Sequence, residues 1–527
     1  MEAFSELLDR LAFTPSRNAK LGLLKSYFRE RPDPDRGWAL AILTDGLPFS
    51  LPVRRVIQSL VSDRFDDHLF RLSREYVGDT AETLALLWPD PSASHSDPPK
   101  LATVIAALAT TQSEKVTDLL ENWLCTLDAK GRWALLKMLT GAPRVGVSTR
   151  LAKLAVALAW DRDSEDIEEI WHGVVPPYEA MFAWLDGRSD IPDVKSLPVF
   201  RPVMLANSLE DEDFEALALE DFAIEWKWDG VRVQIVNKLG DVRLYSRTGD
   251  DISKSFPDVL PTYRDDSVLD GELLIKRDGN IASFSDLQRR LNRKSVSSQM
   301  LEDYPAHIIL YDILEWNSSD LRGGAFVERR EQLQSWFRAV NPERYELSEL
   351  LELPNKTAAR KLWQETRACA IEGLMLKRWA SPYLRGRPKG HWYKWKRAPL
   401  TVDCVLMYAQ RGSGRRSSYY SDFTFGAWKT SGDGEDGLVP VGKAYSGYSD
   451  DELIAIDRWV RRHTKQRFGP VCAVTPGLVF EVAFDSIHTS KRHKSGVAMR
   501  FPRIHRIRWD KPVQDADRLD TIIALIS

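Results

Sequence analysis

The sequence predicts a multidomain α+β protein: an all-α N-terminal domain, a mixed α/β central domain with antiparallel sheets, and a C-terminal β-barrel. Three observations predict this order. Apolar residues recur at helical spacing before residue 195, alternating strand patterns follow a Pro-containing stretch at 190–202, and short strands fill the chain after 400. We therefore expect domains at 1–195, 196–398 and 399–527.

The N-terminal domain is predicted to be a helical bundle. Phe4, Leu7, Leu8 and Leu11 recur at the spacing of one helical face, and the periodicity resumes after a break at 32–37. Alanine- and leucine-rich stretches predict further helices at 67–88, 101–111, 116–127, 132–140 and 147–160. A bundle of this kind is compatible with many functions.

One connection in this bundle has two interpretations. Gly141 and Gly146 would let backbone N–H groups approach phosphates, and Ser148 or Thr149 would cap the next helix. An ordinary interhelical loop explains the same residues equally well. The sequence leaves both interpretations open.

Composition sets the class of protein. The chain has 527 residues, 43% hydrophobic and 28% charged, with a formal net charge of −3, as expected for a soluble globular protein with several cores. No apolar run reaches the ~18 residues of a membrane span, and the N-terminus lacks the pattern of a signal peptide. Cys125, Cys369, Cys404 and Cys472 are far apart, which predicts reduced cytoplasmic thiols and no structural zinc site.

Basic residues are concentrated in two segments. Eight Lys or Arg and no Asp or Glu lie between 377 and 397, and eight more lie between 491 and 511, opposed only by Asp510. A single basic cluster is usually a solvated surface. Two clusters interleaved with Tyr and Trp favour binding of a polyphosphate or a nucleic acid.

The segment 223–236 carries an unusual lysine. Asp229-Gly230 between apolar and β-branched residues predicts a hairpin turn, with Lys227 two residues before it and Arg232 two residues after it. Alternation along a strand would place Glu225, Lys227 and Asp229 on one face. A surface turn decorated with charges is the simple alternative.

Later segments have ordinary explanations when each is taken singly. The stretch 246–249 reads as a turn closing a hairpin, 269–274 as a second Asp-Gly turn, and 308–314 as a buried strand. In the stretch 371–377, strict alternation would put Glu372 and Lys377 on opposite faces, so we retain Glu372 alone.

The stretch 392–397 places two lysines on one face of a strand. Lys394 and Lys396 would share that face, with Tyr393 and Trp395 on the other. Two same-face ammonium groups repel each other unless an anion lies between them, and a triphosphate would be a suitable anion.

In this order, the segments resemble the signature motifs of covalent nucleotidyltransferases, and the chain as a whole resembles three-domain ATP-dependent DNA ligases, most strongly from about 200 to 512. The resemblance implies a helical DNA-binding domain, an adenylation domain and an OB-fold domain. It implies Lys227 as the residue that carries AMP, and Glu372 with Glu272 as ligands of a divalent cation. The nucleotide-binding residues that it implies are Glu225, Arg232, Arg247, Glu272, Tyr311, Arg387, Lys394, Lys396, Arg508 and Lys511.

Individual roles also follow from the resemblance. Glu272 would accept a hydrogen bond from the ribose, and Tyr311, where the family more often has Phe, would stack on adenine. The stretch from Arg508 to Lys511 matches the family's final motif, which acts on the leaving pyrophosphate. Nearby cations would favour the neutral, nucleophilic form of the lysine amine.

The implied activity is the sealing of nicks in duplex DNA in three steps, through lysyl-AMP and a DNA-adenylate, with ATP and Mg²⁺, or Mn²⁺ in its place. We expect a monomer in the cytoplasm, associated with the nucleoid if the source is prokaryotic, and no membrane. An RNA ligase and a capping-type nucleotidyltransferase are the alternatives, and a non-catalytic DNA-binding scaffold is a third. A NAD⁺-dependent ligase is disfavoured because its zinc site needs clustered cysteines.

Overall fold

The structure is a computed structural model that describes residues 1–47, 51–89, 97–112, 115–141, 143–260, 265–291, 293, 295–365, 370–396, 399–412, 418–430, 436–491 and 493–526. The chain forms two compact units: Met1–Asp63 with Leu84–Arg397, and Arg64–Thr83 with Ala398–Ser527. Cys369 and the basic residues Arg397 and Arg492 lie outside the described residues. In the described part, no helix has both the length and the apolar character that a membrane crossing requires.

The region before residue 195 is helical, as predicted. Its helices are α1 (Glu2–Phe13), α2 (Arg17–Glu30), α3 (Asp35–Leu43), α4 (Val53–Ser62), α5 (Asp67–Val77), α6 (Thr80–Leu87), α7 (Leu101–Thr110), α8 (Val116–Thr126), α9 (Ala129–Leu139), α10 (Thr149–Ala159), α11 (Ser164–Ile170) and α12 (Glu179–Leu185). Phe4, Leu8 and Leu11 are buried, as their spacing predicts. The Ser148 hydroxyl accepts a hydrogen bond from the Leu151 amide and caps α10.

Two sheets follow in the first unit. Their strands are β1 (Asn207–Ser208), β2 (Phe222–Trp228), β3 (Val231–Lys238), β4 (Asp241–Ser246), β5 (Ser267–Arg277), β6 (Asn280–Ile281), β7 (Ala306–Trp316), β8 (Ser319–Asp320), β9 (Tyr345–Leu347), β10 (Ile371–Arg378) and β11 (Trp392–Lys396). The smaller sheet has the order β1-β11-β10-β2, and the larger has β4-β3-β5-β7-β8, with β6 paired to β5 and β9 to β7. Most pairs are antiparallel, as predicted; β1 with β11 and β7 with β9 are parallel.

Short helices and one long helix accompany these sheets. They are α13 (Asp211–Ala216), α14 (Phe284–Gln288), α15 (Ser298–Asp303), α16 (Phe326–Val340) and α17 (Lys356–Glu365). Leu333 and Trp336 of α16 are fully buried in the core of the larger sheet.

Both predicted Asp-Gly turns are wrong. Asp229-Gly230 joins β2 and β3, but these strands belong to different sheets. A Cβ at Gly230 would lie 2.5 Å from the carbonyl oxygen of Leu273, so the glycine permits a close approach to β5. The second pair, Asp270-Gly271, lies inside β5 itself. Tertiary packing therefore overrides the local turn preference at both places.

The second unit contains a seven-stranded antiparallel sheet and a separate two-stranded sheet, β18 with β19. The elements of this unit after residue 398 are β12 (Leu400–Arg411), β13 (Tyr420–Thr430), β14 (Asp436–Ala444), α18 (Asp450–His463), β15 (Thr464–Phe468), β16 (Val471–Val474), β17 (Val479–Phe484), β18 (Ser486–Thr489), β19 (Val497–Arg500), β20 (Arg503–Arg508) and α19 (Leu519–Ile523). β12 pairs with β13 along one edge and with β16 and β17 in succession along the other, while β17 also pairs with β20. The prediction of short strands after residue 400 is confirmed, and α18 interrupts them.

Candidate active site

The side chain of Lys227 lies in a row of charged groups across the smaller sheet. Lys227 on β2, Gly373 on β10 and Lys396 on β11 are paired in register. Between the two lysines, Oε2 of Glu372 lies 2.5 Å from Nζ of Lys227 and 2.9 Å from Nζ of Lys396. The Glu372 carboxylate thus supplies part of the negative charge that we expected between the two same-face lysines of β11.

Glu372 reaches this row because β10 is irregular. The register shifts between Ile371 and Gly373, and Gly373 has φ of 150°. A Cβ at Gly373 would lie 2.1 Å from the carbonyl oxygen of Trp395. The bulge turns the Glu372 side chain toward Lys227, whereas strict alternation would turn it away.

The expectation that Glu372 and Lys377 point to opposite faces is wrong. Gly373 pairs with Lys227 and Lys377 with Ala223, so Lys377 lies on the same face of the sheet as Lys227, and its Nζ lies 4.1 Å from the centroid of the Tyr311 ring. The side chain of Lys377 is almost fully buried, and its ammonium group lies 2.5 Å from Oε2 of Glu225. The glycine at 373 could have signalled the bulge that brings Glu372 to this face.

Glu225 lies deeper than the other predicted nucleotide-binding residues. Its side chain is 1% exposed and forms ion pairs with Lys377 and, at 3.5 Å, with Arg330. Its Oε1 atom has no hydrogen-bond partner among the described residues. The assignment of Glu225 to the nucleotide stays a prediction. Through Lys377, Glu225 also fixes an ammonium group over the Tyr311 ring.

Arg232 is held by a buried polar network that the sequence did not predict. Its guanidinium donates to Asp270 at 2.7 Å and to the Tyr383 hydroxyl at 2.9 Å. The Tyr383 hydroxyl in turn donates to Asp270, which is fully buried. Arg232 also donates to the carbonyl oxygen of Met204. The position of the Arg232 guanidinium is thus fixed by three protein groups. Asp270 and Tyr383 are residues that sequence reasoning missed.

Cations surround the open side of the site. Burial lowers the pKa of Lys394, and Arg387, Lys396 and Lys227 lower it further by repulsion. Burial likewise lowers the pKa of Arg247, with smaller contributions from Arg232 and Arg387. Such like-charge clusters favour an anion between them. The structure therefore brings together most of the predicted nucleotide-binding residues of the first unit around Lys227.

Glu272 faces the same space from the larger sheet. It lies opposite Arg232 in the register of β3 with β5. Burial raises the pKa of Glu272 to about 7; Lys227 opposes this rise, and Glu372 adds to it. In contrast, Lys227 and Lys396 outweigh the effect of burial on Glu372 and hold its pKa well below the usual value. Two neighbouring carboxyl groups of this kind suit a hard divalent cation, which would relieve the cost of ionising Glu272.

We predict that Glu272→Gln changes the pH dependence of stability. The folded protein keeps the Glu272 proton up to about pH 7, while the unfolded chain releases it near ~4.5, so ionisation between these values favours unfolding. The variant should be more stable than the wild type by about 3 kcal/mol at pH 8 and nearly equal to it near pH 4.5. Denaturant unfolding across this pH range measures the difference.

The matched control for this prediction is Glu302→Gln, at an exposed carboxylate of α15. Its stability should follow that of the wild type at every pH. Curves for Glu272→Gln that run parallel to the wild-type curve would contradict the assignment of a buried, proton-holding carboxyl group.

Arg508 and Lys511 lie in the second unit. Arg508, in β20, donates to Asp510 at 3.0 Å and lies near Asp403 and Glu481. Nζ of Lys511 lies 2.7 Å from the same Asp403 carboxylate. Both cations are thus held in one cluster around Asp403.

The predicted phosphate-contacting turn is partly described. Gly141 and Gly146 have φ of 98° and 69°, and Ser148 caps α10 as expected; Ala142 lies outside the described residues. The buried ammonium group of Lys20 donates to the carbonyl oxygen of Val145. The buried Lys20 side chain therefore fixes this turn. The observed geometry is compatible with contact between the turn and a DNA phosphate.

Comparisons with known proteins agree on one family. The model of the "ATP dependent DNA ligase domain" matches residues 203–396, and that of the "ATP dependent DNA ligase C terminal region" matches residues 416–511. The chain is 30% identical over 542 residues to "DNA ligase 1" of Korarchaeum cryptofilum, covering 99% of this chain and 97% of that protein. It is 29% identical over 560 residues to a "Probable DNA ligase" of Koribacter versatilis, covering 99% and 95%.

The fold is also similar to that of a solved structure. The structure named "Pmar-Lig_Pre." aligns over 96% of this chain and 99% of its own, with a TM-score of 0.61 and 16% identity. At this identity the similarity concerns the fold alone.

Proposed function

Because the chain belongs to the ATP-dependent DNA ligase family, we propose that Lys227 is the residue that takes AMP from ATP and delivers it to a nick in duplex DNA. The observation that carries this proposal is the position of Nζ of Lys227, 2.5 Å from Glu372, beside a group of mutually repelling cations that includes Lys394, Arg387 and Arg247. The chain is an ATP-dependent DNA ligase, and the site residues below are our assignment.

In the first step, the Lys227 amine attacks the α-phosphate of ATP. A P–N bond forms, the bond to the bridging oxygen breaks, and pyrophosphate leaves with that electron pair. The amine must lose its proton before or during the attack. Glu372 is in contact with the ammonium group and is placed to orient it.

The cations bind and orient the triphosphate. Lys394 and Lys396 on one sheet, together with Arg247 and Arg387 on two loops, provide positive charge, so charge that develops on the phosphate oxygens is neutralised. Arg232, fixed by Asp270, and Tyr311 complete the nucleotide pocket. Positioning and electrostatics supply most of the catalysis in such an in-line displacement.

Glu272 and Glu372 fit a divalent cation, because these carboxyl groups of two different sheets interact electrostatically and one of them is costly to ionise without a cation. When bound there, Mg²⁺, or Mn²⁺ in its place, would supply further neutralisation of phosphate charge. Glu272 would then bind in its ionised form, with release of the proton that it holds in the free protein.

In the later steps, AMP moves from Lys227 to the 5′-phosphate of the nick, and the 3′-hydroxyl displaces AMP to seal the strand. We assign DNA binding to residues 1–195, adenylation to 196–398 and an OB-type barrel to 399–527, with Arg508 and Lys511 acting on the departing pyrophosphate. We expect a monomer acting in the cytoplasm, on the nucleoid in a prokaryote.

Labelled nucleotides and defined nicks test the proposal. We expect the purified protein to become labelled by ATP and not by GTP, and to pass the label to nicked duplex DNA. The measurement is gel-resolved transfer of radiolabelled AMP, followed by appearance of the sealed strand. Labelling by GTP would support a capping enzyme, and sealing of RNA nicks in preference to DNA nicks would support an RNA ligase.

A further inference from the structure

A short helical segment touches both loops that carry the arginines of the nucleotide site. The segment consists of α11 and the following 3₁₀ turn, Trp171–Gly173. One loop, 380–391, carries Arg387, and the turn 246–249 carries Arg247. None of the residues in this helical segment was singled out by the sequence, and none of them has a role in the chemistry described above.

The first contact is an ion-pair cluster on loop 380–391. The guanidinium of Arg385 lies 3.3 Å from Glu168 and 3.4 Å from the Ser164 hydroxyl. Glu168 also accepts from the buried Lys153 at 2.5 Å, so the carboxylate is itself held in place. Arg387 is two residues from Arg385, and the intervening Gly386 is fixed by a backbone hydrogen bond to Val203. The loop is thus pinned immediately beside Arg387.

The second contact is an aromatic one on the turn that carries Arg247. The His172 ring lies against Phe200 and Tyr245, with centroids 5.2 and 5.5 Å apart. A Cβ at Gly249, where φ is 87°, would lie only 2.6 Å from Nε2 of His172. The turn therefore closes directly on the imidazole. Burial lowers the pKa of His172 to about 4, so the ring is neutral at physiological pH and adds no charge to the cluster.

Arg247 and Arg387 need external support, because they repel each other and Lys394. Without an anion between them, these three cations would reach their lowest electrostatic energy if they moved apart. We propose that the segment 164–173 is a positioning element of the ATP site, in which Glu168 through Arg385 and the ring of His172 hold Arg387 and Arg247 near the position of the triphosphate before ATP arrives. This inference rests on the proposed function, since it deepens the nucleotide site.

The test is the kinetics of lysyl-AMP formation in full-length variants. Arg385→Met should raise the KM for ATP about 10-fold, while the maximal rate changes less than about 2-fold, because bound ATP itself draws the cations together. His172→Ala should have the same effect through Arg247. The conservative variants Arg385→Lys and His172→Phe, which keep the charge and the ring, should recover most of the affinity.

Arg360→Met is the matched control. Arg360 is 31% exposed and pairs with Asp211 and Glu215, and it touches neither loop. It should leave the KM for ATP unchanged. The inference is overturned if Arg385→Met and His172→Ala keep the wild-type KM for ATP. It is also overturned if the maximal rate falls together with thermal stability, as in a partly unfolded protein. Failure of the wild type to form lysyl-AMP would instead refute the proposed function.

Discussion

Lys227→Ala is expected to form no lysyl-AMP, with a rate of adenylation reduced by about 10⁴-fold or more, because no other amine can form the P–N bond in its place. Lys394 and Lys396 are close in the sheet, but our proposal assigns them to the phosphates as counter-ions. Intact-mass measurement after incubation with ATP and Mg²⁺ detects the mass of one AMP in the wild type. The variant should keep its original mass.

A DNA substrate whose nick already carries AMP distinguishes the role of Lys227 in adenylation from the role of the other site residues in strand sealing. Lys227→Ala should still seal such pre-adenylated DNA to a substantial extent, since that step needs no transfer to the enzyme. Lys276→Ala, at a lysine of β5 that pairs with Glu346, is the matched control and should be adenylated normally. An AMP adduct on folded Lys227→Ala protein would refute the assignment of the nucleophile.

Gly373→Ala is expected to have the second-largest effect, although residue 373 contacts no substrate in our assignment. A Cβ there would lie 2.1 Å from the Trp395 carbonyl oxygen, and φ of 150° is unfavourable for alanine. The chain can relieve this overlap only by moving β11 or by removing the bulge. Either movement displaces Glu372 or the lysines of β11, so adenylation should fall about 100-fold and stability by about 2–4 kcal/mol.

Gly323→Ala is the control for glycine substitution as such, because a Cβ at Gly323 meets nothing within 4 Å. That variant should match the wild type in both adenylation and thermal unfolding. If Gly373→Ala also matched the wild type in both measurements, the bulge would not be what positions Glu372.

The site was predictable where its segments resemble motifs of a known family. The resemblance identified Lys227 and Glu372, and alternation along one strand placed Lys394 and Lys396 on a common face. The structure places Lys227, Glu372 and Lys396 in one row, with Lys394 in the neighbouring register position of β11. The helices before residue 195 were predictable for a different reason, since a strong apolar period leaves little choice of structure.

The connections between elements could not be predicted from local preference. Gly230 and Gly271 read as turn residues, whereas the structure uses both for close approach of backbones, at the carbonyl oxygens of Leu273 and Ile309 respectively. A contact with a distant strand leaves no local signal. The same reason explains the omission of Asp270 and Tyr383, whose network is assembled from three separate segments.

The shared carboxylate of Glu372 has a consequence for the protein before it meets its substrate. Glu372 contacts both Lys227 and Lys396, so a change at this one carboxylate is felt by both lysines. A divalent cation bound at Glu372 would compete with both side chains for the same oxygen. We therefore expect that occupation of the carboxylate and release of the two lysines are coupled events.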